Sequence, residues 1–249
     1  IQDIGVDKDL LKQYLKNYYT EDPLLEYVLL VGDVDYTYSI PAFYVASYSY
    51  DEIDVTDHKY TFFDNDPLSP EFFIGRWSIS NNSDVFNIVN KTIQYTTMEY
   101  VDSPTYLDKA LIVAGSYKTV GSNSTETFPF NWPVTPVWTS LWLMEELQDY
   151  GYTQIDTAFF HAGNWETGEY NPTIPNTWDS GVGVINYRGW GDANGWHKPY
   201  FHRDEVTALN NGWNLPVVLS FVCNTGDFGN DYSGTGLDKC FGEVLVTAG

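Results

Sequence analysis

The order of hydrophobic and polar positions alternates between short apolar runs and longer segments with helical periodicity. The apolar runs are rich in Val, Ile, Leu and Phe and show little polar alternation, which is typical of buried parallel strands. They predict strands over residues 26–33, 71–78, 109–116, 153–160, 181–189 and 215–223. Apolar residues three and four positions apart predict helices over residues 6–19, 82–100, 137–151 and 237–249, with shorter helices at 176–181 and near 204–210.

Strands that alternate with helices favour an α/β fold, in which helices cover both faces of a mostly parallel sheet. Two features refine this interpretation. Gly151 follows the third long helix and is its predicted C-cap. A break at residues 102–104 predicts a boundary between a partial N-terminal subdomain over 1–103 and a second α/β subdomain over 104–249. The first residues, IQDIGVDKD, lack a Met and a signal peptide, so we expect a processed product or a fragment.

Charge narrows the possible partners. The chain has 12 Lys and Arg against 34 Asp and Glu, which gives a formal net charge of −22. Nucleic acid is therefore not an expected partner, since phosphate binding needs clusters of basic side chains. No apolar run approaches the roughly 18 residues that a membrane helix needs. The favoured interpretation of the acidity is solubility, and the alternative is Ca²⁺ binding by the acidic loops 51–57 and 64–66, neither of which matches the EF-hand pattern.

Two strands end in turns that carry candidate chemistry. The first runs through INYR into Gly189-Trp190-Gly191 and on to His197, and the second runs through LPVVLSFV to Cys223 and NTGDFG. In open parallel sheets ligands bind beyond the carboxyl ends of the strands, so Cys223 is a candidate nucleophile. A lone Cys at a strand end is more often buried and inert, and the two cysteines, Cys223 and Cys240, could instead pair.

These motifs resemble those of the gingipain-type cysteine peptidases, peptidase family C25, which are secreted endopeptidases with a caspase-like α/β fold. The resemblance covers nearly the whole chain, although the first strand of the family and the part after the helix that follows the nucleophile have no counterpart here. It implies that the fold is a three-layer α/β/α arrangement and that Cys223 is the nucleophile. It also implies that the backbone N–H groups of Cys223 and Gly191 hold the oxyanion. A peptide or protein substrate, no required cofactor and a secreted or cell-surface location follow from the same resemblance, while the oligomeric state stays open.

The chain departs from this family at the base. The family has Gly-His-Gly where this sequence has Trp190 between its glycines, and an indole N–H can only donate a hydrogen bond. The acidic residue that supports the family histidine corresponds to Tyr117. Two interpretations follow: either another histidine serves as the base, with His197 first and His161 second, or the domain has lost peptidase chemistry and acts as a binding or structural module.

The resemblance also bears on specificity. The Asp that selects arginine in some members corresponds to a position near Pro136, so we expect no preference for arginine before the scissile bond. Trp196 and Val222 are expected to line the substrate pocket, Trp190 is expected to pack over the site, and an apolar or small residue is the expected substrate side chain. Arg188 and Asp192 flank Trp190, and pairing with each other is favoured over contact with a substrate terminus. The sequence contains no P-loop and no dinucleotide-binding glycine pattern, which argues against a nucleotide-binding domain.

Overall fold

The structure, a computed structural model, describes residues 7–35, 37–47, 53–64, 66–101, 103–115, 136–160, 170–229 and 238–249. The chain divides into two compact units. Unit 1 comprises Ile1–Ile88 and Asp227–Thr247, and unit 2 comprises Val89–Gly226 and Ala248–Gly249. These bounds differ from those of the predicted subdomains, because the division falls inside a helix and the segment after Asp227 belongs to unit 1.

Unit 1 contains two small sheets and two of its own helices. Strands β1 (Tyr27–Val31) and β4 (Phe73–Trp77) pair in parallel, as predicted from their apolar runs. Strands β2 (Phe43–Ala46) and β3 (Ile53–Thr56) form an antiparallel pair between the two predicted strands, where the sequence analysis predicted no strand. The remaining helices are α1 (Lys8–Glu21) and α6 (Phe241–Thr247), with a 3₁₀ turn at His58–Tyr60.

The core of unit 1 forms between α1 and the strands. Its buried members are Leu11, Leu15, Leu30, Ile40, Phe43, Tyr60 and Phe72. Arg76 extends from β4 into this region with a side chain that is only 5% exposed. Its guanidinium forms a two-point ion pair with Asp57, at 2.7 Å for each contact, and donates to the carbonyls of Gly32, Ile40 and Pro41. The burial of this charge is compensated by a full set of acceptors.

Helix α2 (Asn82–Thr97) crosses the division between the units. Asn81 caps its first turn, because its Oδ1 accepts hydrogen bonds from the N–H groups of Ser83 and Asp84. The helix ends at Thr97, three residues before the predicted end, and Met98 follows with φ 54°. A left-handed residue of this kind cannot continue a right-handed helix.

Unit 2 is built on a four-stranded parallel sheet with the order β11-β7-β5-β6. Its strands are β5 (Lys109–Gly115), β6 (Gln154–Phe160), β7 (Val184–Arg188) and β11 (Val217–Phe221). Strand β5 is almost wholly buried, and α3 (Pro136–Tyr150) and α4 (Thr173–Asp179) both pack on it. Gly151 follows α3 with φ 110°, the conformation expected of the predicted C-cap. The parallel α/β architecture and the adjacency of the two motif strands are thus confirmed.

A second, antiparallel sheet follows β7 and was not predicted. It contains β8 (Gly191–Asp192), β9 (Gly195–His197) and β10 (Tyr200–His202), in the order β10-β9-β8. The short helix α5 (Arg203–Thr207) comes next, close to the helix predicted near residues 204–210. Strands of two and three residues have no detectable periodicity, which is why the sequence did not reveal them. This small sheet carries the residues after the Gly189-Trp190-Gly191 turn.

Candidate active site

Strands β7 and β11 bring the two sequence motifs to one edge of the unit 2 sheet. They are hydrogen-bonded neighbours, and Arg188 is the register partner of Phe221. The two turns therefore begin at the same level. A β-carbon placed on Gly191 would lie 3.2 Å from Cγ2 of Val222, the residue before Cys223, and would collide with the carbonyl oxygen of Gly195. Only glycine fits here, and its presence allows the two turns to approach closely.

The hydroxyl of Tyr187 is hydrogen-bonded to the backbone of the Gly189-Trp190-Gly191 turn. It accepts a hydrogen bond from the backbone N–H of Trp190 at 3.1 Å and donates to the carbonyl of Trp190 at 2.7 Å. The same oxygen lies 3.3 Å from the carbonyl oxygen of Lys198. Tyr187 is fully buried and its ring stacks on Trp196 at a centroid distance of 4.4 Å. One buried phenol therefore holds the backbone at two points, before β8 and between β9 and β10.

Trp190 projects from this turn with 38% of its surface exposed. The ammonium of Lys198 lies 5.0 Å from the centroid of its ring, and the His197 ring meets it edge-on at 5.5 Å. Lys198 is only 5% exposed, and this burial lowers the pKa of its ammonium group. The indole thus contacts one cation and one imidazole. Its predicted packing over Cys223 stays a prediction.

The candidate base His197 has partners for both of its ring nitrogens. Nε2 lies 3.1 Å from Oδ2 of Asp192, and Nδ1 lies 3.0 Å from Nε2 of His202. Nδ1 of His202 lies in turn 2.9 Å from the amide nitrogen of Asn194, and the Asn194 backbone N–H donates to Asp192 at 2.7 Å. Four side chains therefore close a hydrogen-bonded ring around the turn between β8 and β9.

The chemistry of this ring assigns its protons. The side-chain nitrogen of Asn194 can only donate a hydrogen bond, so His202 accepts at Nδ1. His202 then donates from Nε2 to Nδ1 of His197. His197 then carries its own proton on Nε2 and donates it to Asp192. Burial, followed by the charge of His197, lowers the pKa of His202 to about 4. Burial of Asp192 opposes its ionisation, but the hydrogen bonds from His197 and from Asn194 outweigh it, and the pKa of Asp192 lies below its ordinary value.

Cys223 lies on the turn after β11 as an exposed, free thiol. Asn224 follows it with φ 56°, and Ser220 Oγ lies 3.0 Å from Oγ1 of Thr225, which closes the turn around the cysteine. Among the residues that the structure describes, no histidine is hydrogen-bonded to Cys223. The second candidate base, His161, and Tyr117 both lie outside the described residues.

The predicted pocket residues differ in their exposure. Trp196 has no exposed surface, and its Nε1 donates to Ser220 Oγ at 2.9 Å. Its indole is thus part of the support between β9 and the Cys223 turn. Val222 is half-buried beside Gly191. Contact of either side chain with a substrate stays a prediction.

Arg188 and Asp192 do not form the pair that the sequence favoured. Asp192 binds His197, and Nη1 of Arg188 donates to Oγ1 of Thr139 at 2.5 Å instead. Thr139 lies in the first turn of α3, whose first residue is the buried Pro136. Thr139, the partner of Arg188, thus lies one helical turn after Pro136, the position near which the resemblance placed an arginine-selecting acid.

Metal ligands do not converge in the segments that the structure covers. These segments contain no group of three or more His, Cys, Asp or Glu side chains placed to hold a metal ion. Of the predicted Ca²⁺ loops, residues 51, 52 and 65 lie outside the described residues, and Asp57 is already paired with Arg76. The calcium hypothesis therefore stays a prediction. No described helix is long and apolar enough to cross a membrane.

Comparison with known proteins identifies the family. Residues 2–249 match the sequence profile of peptidase family C25. The chain belongs to peptidase family C25. It is 26% identical over 245 residues to Gingipain R2 of Porphyromonas gingivalis, which covers 98% of this chain and 29% of that protein. It is 29% identical over 199 residues to Lys-gingipain of the same organism, which covers 77% of this chain and 10% of that protein.

Solved structures agree with this assignment. The Arg-specific cysteine proteinase gingipain R (RgpB) matches all of this chain with a TM-score of 0.75 and 26% identity, and this match covers 51% of that chain. A complex of the RgpB pro- and mature domains matches with a TM-score of 0.74. The C25 chain thus spans about half the length of these solved structures and less than a third of the length of the full gingipain sequences. The predicted caspase-like α/β fold is confirmed.

Several functional candidates were not found from sequence. Tyr187, Asn194, His202 and Ser220 belong to the site only because the β8–β10 sheet folds back on β7 and β11. The spacing of His197 and His202 was visible, but five residues place two side chains together only if the intervening chain forms a tight hairpin. The cis peptide bond at Lys198–Pro199 lies in that hairpin.

Proposed function

We propose that this C25 chain is the catalytic part of a cysteine endopeptidase, with Cys223 as the nucleophile. The observation that carries this proposal is the exposed Cys223 thiol on a turn that lies next to the Gly191 turn. The side chain of Val222, the residue before Cys223, packs against Gly191. The Cys223 thiolate would attack the substrate carbonyl carbon, and the backbone N–H groups of Cys223 and Gly191 would hold the oxygen as it becomes negative. Loss of the amine would leave a thioester, which water then hydrolyses.

His197 is the proposed base. A general base takes the thiol proton and later delivers it to the departing amine, and a carboxylate partner that stabilises the imidazolium favours this role. Asp192 provides that carboxylate at 3.1 Å. Nδ1 of His197 must exchange His202 for the thiol of Cys223 in this mechanism. Replacing Asp192 with Asn should therefore lower kcat/KM about tenfold or more, since the imidazolium loses its counter-charge.

The proposal extends to substrate, location and metal requirements. Gingipain R (RgpB) is Arg-specific by its own description, but this chain has Pro136 near the position of the selecting acid, so we propose a preference other than arginine. Trp190 and Val222 are proposed to form the walls of the substrate pocket, whereas Trp196, which has no exposed surface, supports the turn that carries Cys223. Catalysis by Cys223 needs no cofactor, and a structural Ca²⁺ at the acidic loops is compatible with the proposal. A secreted or cell-surface location follows from the gingipain-like character of the chain.

A peptide electrophile tests the nucleophile and the base together. Wild-type protein, Cys223→Ala and His197→Ala should be incubated with a peptidyl chloromethyl ketone, and labelling followed by intact mass. Wild type should gain one label, and each variant should lose labelling, because the members of such a pair act as a unit. His58→Ala is the matched control, since His58 is an exposed histidine of unit 1. Labelling that persists in His197→Ala would move the base to another group.

A catalytically inactive binding module is the second candidate. It is favoured by Trp190 in place of the family histidine and by the full engagement of both His197 nitrogens. In this case folded wild-type protein would resist the electrophile at Cys223, while a small reagent such as iodoacetamide would still alkylate the exposed thiol. The two reagents therefore separate a blocked catalytic site from an inaccessible cysteine.

A further inference from the structure

Arg188 is a partly buried cation without a carboxylate partner in the described segments. Among the described residues, its side chain makes one polar contact, with the neutral hydroxyl of Thr139, and takes part in no ion pair. The chain has almost three acidic side chains for every basic one. Arg76 and Lys239, by contrast, lie against Asp57 and Asp84 at 2.7 and 2.6 Å. A half-buried guanidinium without a counter-charge is costly, unless a ligand supplies the carboxylate.

The position of Arg188 connects it to the proposed reaction. It is the last residue of β7, directly before Gly189-Trp190-Gly191, and it pairs in register with Phe221, two residues before Cys223. Paired residues on neighbouring strands project to the same face, and the strands lie about 4.8 Å apart. A carbonyl held between Cys223 and Gly191 is therefore close to the end of the strand that carries the guanidinium.

Lys198 places a second cation beside Trp190. The Lys198 ammonium lies over the Trp190 ring at 5.0 Å, and the Lys198 backbone is tied to Tyr187 at the same sheet edge. Among the described carboxylates near this turn, Asp192 binds His197, and Glu205 accepts the backbone N–H of His202. Lys198 thus adds a positive charge beside the exposed indole of Trp190.

We infer that this enzyme selects substrates with an acidic side chain at the P1 residue, which precedes the scissile bond, and that Arg188 binds that carboxylate. The inference rests on the proposed peptidase function and replaces the expectation of an apolar or small side chain. Guanidinium binds carboxylate through two parallel N–H donors, which favours Glu or Asp over the amides of the same shape. Lys198 adds a positive field beside Trp190.

Matched peptides test the inference. A set of C-terminally amidated fluorogenic peptides should differ only at P1, with Glu, Gln, Asp, Asn, Ala and Arg. Wild type should cleave the Glu or Asp peptide with a kcat/KM about tenfold or more above that of its amide counterpart, the gain expected of a charge-assisted hydrogen bond. Arg188→Met should abolish this ratio but keep cleavage of the Ala peptide. Lys109→Met is the control, since Lys109 is the first residue of β5 and lies at the amino-terminal end of the parallel strands, away from Cys223.

Binding to Cys223→Ala decides the question even if no peptide is cleaved. The acidic peptide should bind about tenfold more tightly than its amide counterpart, and the double variant Cys223→Ala/Arg188→Met should lose the difference. Absence of cleavage by wild type with this binding preference intact would refute the peptidase proposal alone. Equal binding of acidic and amide peptides would overturn the role of Arg188. The same peptides with a free C-terminal carboxylate form a second set. Tighter binding of their Gln or Ala members than of the amidated ones would also overturn the assignment to the P1 side chain.

Discussion

Nδ1 of His197 lies 3.0 Å from Nε2 of His202, while its other nitrogen lies 3.1 Å from the Asp192 carboxylate. The proposed base is therefore held on both sides in the resting protein. His202 is 9% exposed and bound to Asn194, so it acts as the donor in this contact. In the proposed mechanism, His197 leaves His202 and turns towards Cys223 before it takes the thiol proton.

Stability in acid should depend on His202. Its pKa falls from 6.5 in the unfolded chain to about 4 in the folded protein, so the folded state binds fewer protons between these values. The stability contributed by neutral His202 is present above pH 6.5 and is lost as the pH falls towards 4. The full effect is roughly 3 kcal/mol. Urea unfolding of His202→Gln should therefore lose less stability than wild type between pH 7 and pH 4.

His58→Gln is the control for this titration, because His58 is exposed and belongs to unit 1. Its curve shows what the loss of an exposed histidine changes by itself. Parallel curves for wild type and His202→Gln would contradict the prediction, because they would show that folding does not lower the pKa of His202.

Gly191 should tolerate no side chain. A β-carbon there collides with the Gly195 carbonyl oxygen and contacts Val222, so Gly191→Ala must displace the turn that carries the proposed oxyanion donor. Misplacing one such donor costs about a hundredfold or more in kcat. Gly226→Ala is the matched control three residues after Cys223, because a β-carbon there meets nothing within 4 Å. Steady-state cleavage by the two variants checks the prediction, and similar rates for both would contradict it.

The Arg76–Asp57 pair should be a main determinant of unit 1 stability. Removing one partner of a buried ion pair leaves the other charge uncompensated, so Arg76→Met should destabilise the protein by about 3–5 kcal/mol in urea unfolding. The loss should shrink in the double variant Arg76→Met/Asp57→Asn, because no unpaired carboxylate remains. Lys8→Met serves as the control: its pair with Asp9 is exposed, and its loss should cost less than about 1 kcal/mol. Equal costs for the two single variants would refute the prediction.

Glu243 should contribute a pH dependence of the opposite sign. It is 4% exposed, accepts hydrogen bonds from Ser78 and from the Cys240 N–H, and lies near the buried Asp33. Burial raises its pKa, so the folded state binds more protons than the unfolded chain. Its contribution is full below pH 4.5, the unfolded value, and is lost as the pH rises through the folded pKa.

Glu243→Gln removes this loss. The unfolding free energy of the variant, relative to wild type, should increase as the pH rises from 4 to 7. Glu26→Gln is the control for the loss of an exposed carboxylate. A Glu243→Gln curve parallel to that of wild type would show that Glu243 is ionised at its ordinary pKa.

The pattern of hydrophobic and polar residues along the chain determined the strands and helices that are long enough to show a run or a periodicity. The apolar runs of β1, β4, β5, β6, β7 and β11 and the amphipathic segments of α1, α2 and α3 were all visible in the sequence. Strand β5 is buried on both faces, as a continuous hydrophobic run predicts. Alternate side chains of β1 and β11 are exposed, so the apolar runs overstated the burial of those two strands. The order of the two strand–turn motifs was enough to place Cys223 and Gly191 at one sheet edge. That adjacency follows from the rule that parallel strands share their carboxyl ends.

Tertiary structure decided what surrounds those two residues. Strands of two or three residues leave no period in the sequence, so the β8–β10 sheet and the His197–His202 contact could not be foreseen. Asp192 and Arg188 were expected to pair because they flank one tryptophan, but separate neighbours, His197 and Thr139, offered each a better-placed partner. Side-chain pairing depends on distances of a few ångströms between segments that are remote in sequence, and only the folded chain sets those distances.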